Sequence, residues 1–449
     1  MSTFDLILRG GIVVTPEGTL IADLGVCEGK IVALQSSLSG TAAEEIDATG
    51  LHVFPGLIDA HVHFNEPGRA HWEGMATGSR ALAAGGGTMF FDMPLNAHPP
   101  TCDGASFDLK LAAAQKNSLT DFAFWGGLVP GNLDHLEELA GRGVIGFKAF
   151  MANSGIEDFS RADDQTLREG MKRAAGLHLP VAVHAESESL TNRLAAEKLA
   201  AGKISARDYL DSRPVAAELE AIRRAIELAG ETGCALHVVH VSNSEGVALI
   251  AAARKSGVDV SCETCPHYLT LTEEDVETLG AVAKCAPPLR TPAIQDALWQ
   301  SLFQGDISTV GSDHSPAPPE MKTDRNFFKI WGGISGVQHT LPLLFEGRER
   351  AGFSLPQVAK LTSLNVAGRF RLPKTKGRIA VDADADLALM DLSQRFTVRA
   401  GDLFYQHKQG PYLGRTLTGR TVRTILRGST IFKDGKIVGT NHGQLIKPV

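Results

Sequence analysis

The chain has 449 residues, 43% of them apolar and 21% charged, with a formal net charge of −7, the make-up of an ordinary globular protein. It holds no long block of Lys or Arg and no unbroken apolar run of about 20 residues, so neither nucleic acid nor a membrane is an expected partner. Its six cysteines, Cys27, Cys102, Cys234, Cys262, Cys265 and Cys285, are too few for a disulfide framework, and Asp5 interrupts any signal peptide, so the expected compartment is reducing and cytoplasmic.

The opening stretch FDLILRGGIVVTPEGTLIADLGVCEGKIVAL alternates apolar residues and breaks at Gly10-Gly11, Pro16-Glu17-Gly18 and Glu28-Gly29, the pattern of short strands with glycine turns. The rhythm then changes. Apolar, strand-like runs recur at 53–63, 88–93, 121–128, 144–150, 180–184, 235–241, 258–263 and 307–312. Helical patterns such as ASFDLKLAAAQKN, DQTLREGMKRAAGLH, AAELEAIRRAIELAGETG and SEGVALIAAARKSG lie between most of them. Eight β runs alternating with helices predict an α/β fold, a (β/α)8 TIM-like barrel. Gly85-Gly86-Gly87 precedes a strand where a dinucleotide fingerprint would follow one. Near the other end VRTILRGSTIFKDGKIVG brings back the first rhythm, and Ile7-Leu8-Arg9-Gly10 recurs as Ile425-Leu426-Arg427-Gly428. The two terminal strand sets are therefore expected to share one sheet domain. Arg415, Arg420, Arg423 and Arg427 read as a solvated strand face.

The chemistry gathers at the ends of the barrel runs, where such a barrel keeps its site. His61 and His63 are two apart on a strand and project from one face. Neutral imidazoles so placed suit zinc and similar metals, although a hydrogen-bonded pair has the same spacing. LPVAVHAES closes a run with His184. ALHVVHVSNSEG offers His237 and His240 on opposite faces; His240 is nearer the strand end and is preferred, with His237 as packing. ISTVGSDHSP ends the eighth run with Asp313, a carboxylate able to bind metal and accept a proton, while His314 faces elsewhere. Lys148 stands inside the apolar run GVIGFKAFM. A lysine there pairs with an acid, reaches solvent, or loses its proton. A neutral amine can add carbon dioxide, and the resulting carbamate has two oxygens that can bridge metals. In CETCPHYL, Cys262, Cys265 and His267 form a rival site, but structural zinc takes four ligands and no second C-x-x-C exists. These cysteines are expected to be buried and reduced.

With HVHFNEPGRAHWEG, FFDMPLNAHPPT, WGGLVPGN, GFKAFMANSG, CETCPHYLTL, KCAPPLR and SDHSPAPPEMK in order, the whole chain resembles the cyclic amidohydrolases: dihydroorotases, hydantoinases, dihydropyrimidinases and allantoinases. It is most similar to the allantoinase branch. The resemblance implies a metal-dependent hydrolase barrel over 54–375, flanked by a two-part β-sandwich of 1–53 and 376–449, and a homotetramer. It implies two divalent metal ions, zinc first and cobalt or manganese otherwise. His61, His63 and Asp313 would hold one, His184 and His240 the other, and carbamylated Lys148 would bridge them. Asn65, Asn96 and Ser315 match places that meet the substrate. Dihydroorotases generally have an arginine where Asn65 stands, and hydantoinases a tyrosine shortly after the lysine, where none occurs here. Ala317 departs from the cysteine that allantoinases often carry after SDHSP. The reaction so implied is hydrolytic opening of the small molecule allantoin to allantoate by a metal-bridging hydroxide, with Asp313 as proton shuttle. Another cyclic-amide hydrolase is the first alternative. A non-catalytic assembly protein on the same scaffold is the second, and such relatives tend to lose the ligands that this chain keeps.

Overall fold

The computed structural model describes residues 3–449. Eight short strand segments form the barrel: Leu57–Val62, Gly87–Asp92, Asp121–Phe124 continuing as Gly126–Gly127, Phe147–Phe150, Val181–His184, Leu236–Val238, Val260–Thr264 and Thr309–Val310. Each pairs in parallel with the next. The ring closes where His63 N donates to His314 O at 2.8 Å and Ser312 N donates to Asp59 Oδ1 at 3.0 Å. The first and second of these strands are buried at every position, as a sheet covered on both faces requires. Intervening helices begin at the polar residues that satisfy their first amides. Asp103, Asp163, Asn243 and Thr291 each accept from an amide of the following turn.

A nine-stranded sheet takes its strands from both ends of the chain. His52–Pro55 joins the halves, parallel to Phe4–Thr15 on one side and antiparallel to Leu387–Thr397 on the other. Leu6, Leu24, Val53, Leu387 and Ile425 share the apolar core of this sheet. Lys376 fastens it to the barrel floor, reaching Asp121 at 2.7 Å, Asp386 at 2.8 Å and Asp384 at 3.0 Å. Residues 444–446 return to the third barrel strand: Phe122 N donates to Gln444 O at 3.0 Å and Ile446 N to Phe122 O at 2.8 Å. The arginines read as a solvated face are individually partnered. Arg415 meets Glu346, Arg423 meets Glu44, Arg427 meets Asp121, and Arg420 donates to Gln394.

Among the described residues, no helix is long and apolar enough to cross a membrane.

Candidate metal centre

The strand ends bring the histidines together as their spacing demands. His61 Nε2 and His63 Nε2 lie 3.2 and 3.4 Å from Asp313 Oδ1, and ligand atoms of these three residues fall within 4.8 Å of one another. His184 closes the fifth barrel strand, and its Nδ1 is 3.0 Å from His240 Nε2 just beyond the sixth. The His61 and His240 rings, with centroids 5.4 Å apart, link the two groups into one cluster. His240 and Asp313 take left-handed backbone conformations, φ 41° and 45°, as do Asn65 and Asn96 at 65° and 67°. Asparagine tolerates this region; for histidine it stores strain, which tends to gather at functional sites.

Lys148, in the fourth strand, is completely buried, and its Nζ has no hydrogen-bond partner. Burial drives it down to about 7, against the pull of Asp313 and Glu263. Burial likewise lowers His63, His184 and, furthest, His240. Asp313 is different: burial would raise its carboxyl, but His61, His63 and His240 hold it far below the usual carboxylate range. At neutral pH His63, His184 and His240 are thus imidazoles with free lone pairs, beside an ionised carboxylate and a readily neutralised amine. His184 and His240 point ring nitrogens at each other, and His240 Nδ1 has no partner. Such a donor set fits divalent cations of the zinc type.

Several supporting residues escaped the sequence reading. Glu263 Oε1 accepts from His61 Nδ1 at 2.8 Å, leaving Nε2 for a ligand. Burial raises Glu263, yet His61 and His237 bring it down to about 2. Glu186 accepts from His184 Nε2 at 2.8 Å, leaving Nδ1 for a ligand, and pairs with Arg213. Asn96 Nδ2 lies 3.2 Å from His63 Nδ1, and Asp59 Oδ1 accepts from the His61 amide. The signal for Glu263 was available, a charge inside an apolar strand, as for Lys148; nothing marked Glu186.

His237, His314 and the cysteines have other surroundings. His237 Nδ1 lies 2.8 Å from Ser261 Oγ, with its ring edge-on to Phe370. His314 accepts from the Gly336 amide and faces Glu73. All six cysteines are free, and no cysteine joins a metal-ligating group among the described residues.

A cavity of about 370 Å³ opens over the cluster, lined by His61, His63, His184, His240 and Asp313. Asn96 and Ser315 also line it, as do Tyr209, Arg213, Lys284 and residues 328–333. Asn65 is not among the lining residues; it is buried, with neither end of its amide partnered. Ala317 is buried too, its carbonyl accepting from Gln409. Larger clefts of about 510 and 1060 Å³ lie at the C-terminal sheet, away from this cluster.

The model of the amidohydrolase family matches residues 52–437. The chain is 57% identical to the allantoinase of Rubrobacter xylanophilus, covering 100% of this chain and 98% of that one. It is 53% identical to the allantoinase of Deinococcus radiodurans, over 99% of both. Among solved structures, the L-hydantoinase (dihydropyrimidinase) of Arthrobacter aurescens superposes with a TM-score of 0.97 at 35% identity, over 99% of this chain and 100% of that one. The D-hydantoinase of a Thermus species gives 0.92 at 29%, over 99% of both.

Proposed function

The chain belongs to the amidohydrolase family, and from that premise we propose that it hydrolyses the ring amide of allantoin, giving allantoate. The observation that carries this reading is the convergence of four histidines, an ionised Asp313 and an unpartnered Lys148 at one end of the barrel. Full-length identity of 45–57% to allantoinases supports allantoin over hydantoin, since the hydantoinase structures stand at 29–35%.

His61, His63 and Asp313 would hold one divalent ion and His184 and His240 a second, with a carbamate on Lys148 common to both; zinc suits the donors, cobalt or manganese otherwise. Such ions, when bound, supply an activated water and polarise the ring carbonyl. The chain's own part is proton handling and orientation. Asp313, ionised and beside the reacting carbon, accepts the proton of the attacking water as the new C–O bond forms. It passes that proton to the ring nitrogen as the C–N bond breaks, so that one opened molecule results, with a ureido NH2 at one end and at the other a carboxylic acid that ionises to solvent. A carboxylate placed in this way contributes on the order of 10²–10⁴-fold. Glu263 and Glu186 fix the tautomer and orientation of His61 and His184. Asn96 and Ser315, on the cavity wall, hold the substrate ring. Asn65, buried outside the cavity lining, stands where an arginine would favour a substrate carboxylate.

We also read the chain as a cytoplasmic homotetramer, on the family resemblance and the six unpaired cysteines. The nine-stranded sheet built from both ends supports a two-part sandwich, 1–53 and 376–449, around a barrel of 54–375. Ring-opening rates on allantoin, hydantoin, dihydrouracil and dihydroorotate, in bicarbonate with zinc, cobalt or manganese, test the substrate. Allantoin should be opened far faster than the rest. A faster rate on another ring would transfer the same site to that substrate.

A further inference from the structure

Lys284 lines this cavity and Lys322 is bonded to its lining residues Trp331 and Gly333, and the nitrogens of both are as fully hydrogen-bonded as that of Lys148 is free. Lys284 Nζ donates to the carbonyls of Phe327 at 2.6 Å, Phe328 at 3.4 Å and Ile330. Lys322 Nζ donates to those of Ala281 at 3.1 Å, Trp331 at 2.8 Å and Gly333 at 2.8 Å. Three N–H donors are all an ammonium has. So bonded, neither lysine keeps an N–H for a substrate.

Five of the six carbonyls belong to the stretch 327–333, which supplies Phe328, Ile330, Trp331 and Gly332 to the cavity lining. From 319 to 333 the backbone contains only two short 3-10 turns, Pro319–Lys322 and Phe327–Lys329. It has no sheet or helix ladder to pair its oxygens, and buried carbonyls require partners. The two lysine side chains provide them. Lys284 comes from KCAPPLR, with its charge 4.4 Å from the Tyr209 ring, and Lys322 comes from the foot of the stretch itself. Amide contacts run the other way: Trp331 N donates to Met321 O at 3.0 Å and Gly333 N to Lys284 O at 2.8 Å.

We propose that Lys284 and Lys322 are positioning residues, which hold 327–333 as a rigid wall of the cavity and so set how tightly the ring binds, without taking part in bond making or breaking. A wall already in its binding shape spares the ordering cost that a loose one would add at each encounter. The kinetic arm rests on the ring-opening reading; the conformational arm does not.

Lys284→Met and Lys322→Met retain the stems and remove the donors. In the double variant, KM for allantoin should rise about tenfold or more while kcat stays within about threefold, with bound metal unchanged. Trp331, edge-on to Trp72 at 4.9 Å, reports on the wall directly. Its acrylamide quenching, isolated by subtraction against Trp331→Phe, should increase in the variants. Wild-type KM and quenching in the double variant overturn the proposal; so does a loss of kcat at unchanged KM, which would put the lysines in the chemistry. Should the variants not fold, hydrogen exchange in the unaltered protein decides. The Trp331 and Gly333 amides should then exchange as slowly as those of the barrel strands, and fast exchange there overturns the wall. If the unaltered protein leaves allantoin intact, the substrate reading alone fails, and quenching and exchange still settle this one.

Discussion

Each end of the barrel buries a lysine, and the two are treated in opposite ways. At the floor, Lys376 is 3% exposed and surrounded by Asp121, Asp384 and Asp386. Burial alone would lower it, but those carboxylates raise it above the ordinary lysine value. At the mouth, Lys148 is fully buried with no partner on its nitrogen, and burial brings it down to about 7. Depth of burial does not distinguish them. The count of hydrogen-bond and charge partners does, and it separates a lysine that ties the terminal sheet to the barrel from one whose nitrogen has no hydrogen-bond partner.

Substitutions at the two lysines should have opposite effects. Lys148→Met should reduce kcat by at least about 10⁴-fold and lower bound metal, with little loss of thermal stability, because no partner is orphaned. Activity and metal content measured on one preparation check this. A variant that melts far lower would instead make Lys148 a structural residue. Asp313→Asn should lose about 10²–10⁴-fold in kcat with most of the metal kept, as read by elemental analysis; full turnover in the loaded variant removes Asp313 from the proton path.

Lys376→Met should do the reverse of Lys148→Met. Three acidic neighbours are left behind, so unfolding free energy should fall by roughly 3–5 kcal/mol while the kcat of the folded fraction holds. The sign of its pH dependence follows from the raised value: the stabilisation is complete below the unfolded lysine value of about 10.4 and is lost only in more alkaline solution. Glu263→Gln is milder, with metal affinity down about 10–100-fold in competition with a chelator. Smallest is the response of the amine itself. Lys148 is protonated below about 7 and neutral above it, and only the neutral amine adds carbon dioxide. Labelling with ¹³C-bicarbonate should rise severalfold from about pH 6 to about pH 8, and peptide mapping should find the adduct on Lys148 and on neither Lys284 nor Lys322.

Legibility in the sequence followed the same division. Period and strand-end position made the barrel and the histidines readable, and a lone lysine in an apolar run marked Lys148. Lys376, in PKTKGR, looks like any loop lysine, because Asp121 is brought to it by the tertiary fold from 255 residues away and the nearby Asp384 and Asp386 lie in an irregular segment with no period to announce them. The terminal strands were recognisable by rhythm, but the pairing of His52–Pro55 with Leu387–Thr397 spans more than three hundred residues and leaves no local trace. Glu263 carried the Lys148 signal but sat in a stretch whose cysteines drew attention. Asn65 was singled out by resemblance, which fixes a position along the chain and not whether a side chain reaches the cavity.

The return of residues 444–446 to Phe122 bears on how the protein is made. The lower half of the third barrel strand keeps a bare edge until those residues leave the ribosome, hundreds of positions after the strand itself. A nascent chain therefore carries an adhesive edge through most of its synthesis. Translation products that stop before residue 444 should accumulate as aggregates, and folding in the cell should be sensitive to the speed at which the stretch of message for residues 444–446 is read.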